Sequence, residues 1–253
     1  MVAKEEALVS DISRFANSQN AVRQSDLSAN KPFHVEIEKL SRSVYCPDGV
    51  SQWFYERAAG SYSTLLARDG TSPSRLKALK EAIPPARRIT KTDLAKYLNA
   101  WDRKPDIVSM GSQKNFDRFM AALSLADNQE APLPNVADYK SMIAKAKLYR
   151  DTQKLLRPMF QAFQANVTAY TISVLSEKLG SRMDLNRIWE KQAVSPELMK
   201  QIAAWANEDN ATLHATSGGR MVSEWAKRPE CKEAVMGASY SEPMKGIPEV
   251  KAN

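Results

Sequence analysis

The stretch ITKTDLAKYLNAW, from Ile89 to Trp101, decides the fold class of this chain. Thr90 or Thr92 stands where a helix N-cap is needed, because a hydroxyl there accepts a hydrogen bond from a backbone N–H that has no helical partner. Asp93 follows in the first turn, where a carboxylate is favoured by the positive end of the helix. Leu94, Tyr97, Leu98 and Trp101 recur at three- and four-residue spacing and so share one face. Cap, charge and period agree on an amphipathic helix that stops before Pro105.

The same logic carried outward predicts a mainly α protein, a multi-helix array with at most a short β element near residues 44–56. GSQKNFDRFMAALSLA, residues 111–126, has Phe116, Phe119, Met120 and Leu123 at helical spacing. Upstream, Pro73 opens a short basic helix that ends at Pro84-Pro85, and VSQWFYERAAGSYSTLLAR begins as a strand and finishes as a helix. Pro32 suits the first turn of a helix through Val35, Ile37 and Leu40. Two further helices are expected over Glu5 to Ser18 and from about Ser25. Downstream, helical periods run from Tyr139 to Leu156, Pro158 to Leu179, Leu185 to Gln192 and Pro196 to Ala206, with a last helix near Gly219 to Ala226. Pro158 and Pro196 are read as first-turn residues and Gly180 as a stop.

Pro132 and Pro134, set among Asp127, Glu130 and Asp138, suggest a linker over 127–138. That divides the chain into an N-terminal helical region (1–126) and a C-terminal helical domain (139–240). The segment 241–253, with Pro243, Gly246 and Pro248, reads as a flexible tail.

Charge is distributed unevenly. Residues 61–120 hold 12 basic and 6 acidic side chains, against 7 and 8 in residues 1–60, so most of the net +7 falls between Arg68 and Arg118. A local basic excess attracts polyanions through counterion release, although it can equally be a solvated face or dock an acidic partner. The two cysteines, Cys46 and Cys231, give no disulfide framework and point to a reducing compartment. No apolar run approaches the roughly 18 residues of a membrane span, and the polar start MVAKEEALV does not resemble a signal peptide. A cytoplasmic location is expected.

Catalytic signatures are missing from the sequence. His34 and His214 stand 180 positions apart, and neither forms a metal-ligand spacing with the cysteines. There is no nucleophile elbow and no phosphate-binding P-loop. Glu230-Cys231-Lys232 matches half of a metal-dependent nuclease signature, but the proline before it and its helical surroundings argue against that reading. No cofactor, metal ligand or catalytic residue is assigned.

RFANSQNAVRQSDL, near the N-terminus, is unusually rich in amides. These side chains either cap helices and link backbone, or read a polar ligand with paired donors and acceptors. SRFANSQNAVRQSDL, WFYERAAGSY, ITKTDLAKYLNAW with IVSMGSQKNF, and VSEWAKRPECKEAV together resemble the C-terminal half of AIPR proteins, the abortive-infection phage-resistance family. The resemblance covers nearly the whole chain and implies a bacterial antiphage defence role. Family members are generally longer, with a nuclease-like region proposed in an N-terminal half whose NNG-type and NG-x-QT-type motifs have no counterpart here. The chain therefore reads as a C-terminal part or a split gene product, with any nuclease chemistry expected upstream.

Two functions follow as expectations. In one, a basic helical face contacts nucleic acid: Asn17, Gln19 and Asn20 read polar groups, while Arg57, Arg87, Arg88, Lys91, Lys96 and Lys114 contact phosphates. Trp53 or Tyr55 then either stacks on a base or packs in the core. In the other, the array is a non-catalytic interaction module that docks the missing N-terminal half or a second copy of itself.

Overall fold

The computed structural model describes residues 30–128 and 132–251. The helices expected before Asn30 lie outside the described residues, as does the NSQN stretch. Within those bounds the protein is mainly helical, with one small sheet of two parallel strands.

Helix α1 (Pro32–Ser43) starts on a proline that loses no helical hydrogen bond there. Strand β1 (Phe54–Glu56) follows, then α2 (Ser61–Asp69) and α3 (Pro73–Ala82). Gly60 takes φ 79° just before α2, a left-handed conformation that suits a residue without Cβ. A single 3₁₀ turn (Pro85–Arg87) leads into β2 (Arg88–Thr90) and directly into α4 (Lys91–Trp101). Thr90 caps α4 by accepting the backbone N–H of Asp93 at 3.1 Å. Of the apolar stripe read from the sequence, Leu94, Tyr97 and Leu98 are buried, and Trp101 is half-buried against the core. A short α5 (Pro105–Ser109) and α6 (Ser112–Asn128) complete this half.

The long α7 (Val136–Phe160) opens with a capping box. Asn135 accepts from Ala137 and Asp138, while Asp138 reaches back to the Asn135 N–H. Pro158, expected to open the next helix, lies instead in the last turn of α7. So close to a helix end, proline removes only the bond to Lys154, and its φ is compatible with one further half-turn. The break falls at Gln161, whose φ of 42° is unusual for a residue with a side chain. A 3₁₀ turn (Gln161–Phe163) then leads into α8 (Gln164–Leu179). After α8 come α9 (Leu185–Lys191), α10 (Pro196–Thr216), α11 (Val222–Trp225) and α12 (Pro229–Met236).

Helix α8 is buried nearly all round, packed by α7, α10, α5 and α4. The hydroxyls in its buried stretch are therefore hydrogen-bonded. Thr171 donates to Asp209 at 2.6 Å, and the Ser173 hydroxyl lies 2.7 Å from the Ala100 carbonyl. Asp209, fully buried on α10, also receives the Tyr240 hydroxyl at 2.6 Å. Burial pushes its carboxyl up to about 7, against the lowering effect of those two donors. Side chains from both sides of residues 127–138 share one buried cluster, from Phe33 to Ile247.

Residues 240–251 are bonded to the rest of the fold. Trp205 donates its indole N–H to the Ser241 carbonyl at 2.9 Å, and the Met244 N–H reaches Gln201 at 2.7 Å. Ile247 and Glu249 are buried. The Glu249 carboxylate accepts the Ser195 N–H at 2.8 Å and its hydroxyl at 2.6 Å, at the positive end of α10. Its polar composition suggested a loose end, but these side chains bond to helix α10 rather than to water.

Candidate nucleic-acid interface

The basic segment is built around the two-stranded sheet. β1 and β2 pair in parallel, Phe54 opposite Arg88, Tyr55 opposite Ile89 and Glu56 opposite Thr90. Parallel strands need a crossover, and here it is the α2–α3 hairpin. Tyr55 and Ile89 point into the core, which turns Arg88 outward. Arg88 stays exposed, 3.6 Å from the buried Glu56 carboxylate, with its guanidinium 5.9 Å from the Tyr62 ring centre.

Most of the other cations named from the sequence are committed within the fold. Arg57 is half-buried and pairs with Glu38 at 2.6 Å while donating to Asn30 at 3.0 Å. Arg87 donates to Ser51 and lies 3.6 Å from Asp48. The Asp48 carboxyl is held down to about 2, first by the Ser51 hydroxyl and then by the Ser51 and Val50 N–H groups. Lys91 is buried at the start of α4. Lys96 lies 3.5 Å from Asp93. Lys114 is exposed on α6, and its charge adds weakly to the lowering of the Glu224 carboxyl, which Lys227 dominates. Asn17, Gln19 and Asn20 lie outside the described residues.

The stacking role considered for Trp53 and Tyr55 is overturned by burial, since both are 3% exposed. Trp53 donates its indole N–H to Gln192 at 2.8 Å. The Tyr55 hydroxyl lies 2.6 Å from His34 Nδ1, and His34 Nε2 lies 3.2 Å from the Met120 sulfur. A thioether can only accept, so Nε2 carries the proton and Tyr55 donates to Nδ1. Burial, helped by the charges of Lys91 and Arg57, brings the His34 pKa down to about 3 and keeps the ring neutral. His34 is a satisfied core residue.

Uncommitted positive charge lies in two other places. Helix α3 contributes no residue to the core, and its Lys77 and Lys80 are exposed with no hydrogen bond or ion pair to a described residue. On α7, Arg150, Lys154 and Arg157 follow at i, i+4 and i+7, which places them on one face. Lys154 and Arg157 are exposed and likewise unpaired among the described residues. Arg150 turns inward: it donates to the carbonyls of Ala86 at 2.8 Å and Arg88 at 2.5 Å, and to the Tyr97 hydroxyl at 2.9 Å. Its guanidinium also lies 5.6 Å from the ring centres of Trp53 and Tyr97.

The family model described as "AIPR protein" matches residues 1–217. The chain belongs to the AIPR family. That family is linked to abortive-infection phage resistance. Neither the curated proteins nor the solved structures gave a match. In this AIPR chain the match takes in both α3 and the basic face of α7, while α11, α12 and the C-terminal segment follow it. Among the described residues no three His, Cys, Asp or Glu side chains converge as metal ligands. Cys231 of the Glu-Cys-Lys tripeptide is fully buried. No described helix of the AIPR chain is long and apolar enough to cross a membrane. Sequence reasoning missed Lys154 and Arg157, although their spacing from Arg150 in RDTQKLLR was a readable signal.

Proposed function

We propose that this AIPR chain acts in antiphage defence as a helical module that contacts nucleic acid through a basic face, with no catalytic step assigned to its residues. The observation that carries this reading is α3. It is a helix with no buried residue, two exposed lysines unpaired among the described residues and a further exposed cation, Arg75. A helix that adds nothing to the core yet presents cations to solvent is suited to phosphate contact rather than packing. Arg88, exposed at the start of β2, follows the same crossover in the chain.

Fluorescence anisotropy with DNA and RNA duplexes and single strands tests it. Binding is expected to weaken steeply with salt and to fall at least tenfold in the double variant Lys77→Glu, Lys80→Glu. Binding that ignores both salt and the double variant would remove the basis for the reading. Charge reversal at Lys91 is unsuitable, because that side chain is buried.

A further inference from the structure

We propose that the cleft where α7 ends and α8 begins is a binding site for a phosphate-bearing ligand, with the phosphate held between Lys154 and Arg157. The cleft is open, about 790 Å³, and lined by Arg150, Gln153, Lys154, Arg157, Gln161 and Gln164 with Pro158. Three cations and three amides line it, without a single carboxylate among the described residues. It lies on different elements from the α3 face and goes beyond the function proposed for that face.

Lys154 and Arg157 sit three positions apart on one helix, where like charges repel. Elsewhere on α7, Lys147 pairs with Asp151 at 2.5 Å, and Lys140 and Lys145 lie over the Trp189 and Trp101 rings. At the cleft no described residue pairs with Lys154 or Arg157. Arg150 fixes the wall, because its donors are directed to Ala86, Arg88 and Tyr97. That leaves one planar fork and one ammonium for the ligand, a pairing suited to phosphate oxygens.

Two further features favour an anion with a polar body. Helix α8 starts at Gln164 with no side-chain cap and no acidic residue in its first turn, so its positive end is not offset locally. The Gln164 side chain lines this end of the cleft. Gln153 and Gln161 add amides that can both donate and accept. The volume falls in the range of small-molecule sites. A neutral sugar would leave the two cations unanswered, and an apolar ligand would meet few apolar walls.

A free nucleotide and a nucleic-acid backbone share this phosphate chemistry. Isothermal titration of the full 253-residue chain with inorganic phosphate, AMP and a short single-stranded oligonucleotide separates them. AMP binding that weakens at least tenfold in Lys154→Gln, Arg157→Gln supports the site with a free nucleotide as its source. Oligonucleotide binding that alone weakens supports it with the polymer as the source. The proposal is overturned if no probe binds, or if the double variant binds AMP and oligonucleotide as the unaltered chain does. Should that variant melt early, the unaltered chain still decides. The side-chain amide resonances of Gln153, Gln161 and Gln164 are expected to shift with AMP or oligonucleotide, and no shift overturns the site. The α3 variant keeps the two proposals apart. Oligonucleotide binding lost with Lys77→Glu, Lys80→Glu, while AMP and oligonucleotide binding are both kept with Lys154→Gln, Arg157→Gln, upholds the α3 face and overturns the cleft; oligonucleotide binding kept with the α3 variant and lost with the cleft variant does the opposite.

Discussion

Helix α8 buries ten of its sixteen residues, whereas α3 buries none of its ten. Both are regular helices on the backbone, and their sequences differ in the solvent they expect. Val167 to Leu175 leaves no polar face, so every hydroxyl in it is bonded to a neighbour. PSRLKALKEA has an apolar pair, Leu76 and Leu79, too narrow to do more than lean on α2. Stability and surface chemistry are thus divided between elements. The core around α8 can hold the molecule together while the crossover hairpin carries charge.

The strongest way to break this contrast is to truncate a side chain beside α8. Trp205 on α10 is fully buried and bonds to the Ser241 carbonyl. Trp205→Ala is expected to lower the unfolding free energy by about 3–5 kcal/mol, measured by urea titration. Leu76→Ala on α3 should cost under about 1 kcal/mol, as for a partly exposed site. Equal losses would show that the hairpin belongs to the same cooperative unit.

Asp209 sharpens the contrast through pH. Its folded pKa, about 7, stands above the ordinary 3.8. Between those values the folded chain keeps a proton that the unfolded chain releases. Stability from this group therefore falls as pH rises from about 4 to about 7, and is level above. The drop is on the order of 4 kcal/mol by linkage. In Asp209→Asn the slope should flatten, because an amide does not titrate in this range while its carbonyl still accepts the Tyr240 hydroxyl. An unchanged slope in melts across this range would assign it to other groups.

At the C-terminal segment, Glu249→Ala removes both acceptors of Ser195 and should cost about 1–3 kcal/mol in the same titration. The smallest effect belongs to the hairpin itself. Lys77→Ala with Lys80→Ala is expected to change stability by less than about 0.5 kcal/mol. Amide exchange should show α3 opening more readily than α8, in keeping with its lack of buried contacts.

How much of this could be read beforehand depended on whether the cause was local. The α4 helix was legible because Thr90, Asp93 and the Leu94–Trp101 stripe act within three turns. The strand at Phe54 and the prolines of α1, α3 and α10 were legible for the same reason. Pro158 was misplaced because proline suits a first turn and is tolerated in a last one, and only the turn at Gln161 separates the two. The family was legible from long unusual blocks, since the match to residues 1–217 does not depend on geometry. The availability of individual cations was not legible. Arg57 meets Glu38, and Arg150 meets the backbone of Ala86 more than sixty residues away. Pairings at that separation leave no periodic trace in the chain. The bonds of the C-terminal segment were not legible for a similar reason, since Glu249 finds Ser195 only after α10 has formed.

Arg150 has an evolutionary consequence. Its guanidinium ties three separate acceptors, the Ala86 and Arg88 carbonyls and the Tyr97 hydroxyl, while lying over two aromatic rings. A lysine keeps the charge but has no planar fork, so it could not hold those acceptors in one plane. The exchange usually counted as the mildest among cations would here unpin the turn before β2 from α7. Natural drift at this position is thus confined by geometry more than by charge, whereas Lys154 and Arg157, one and two turns along the same helix, are free to interchange without disturbing the fold.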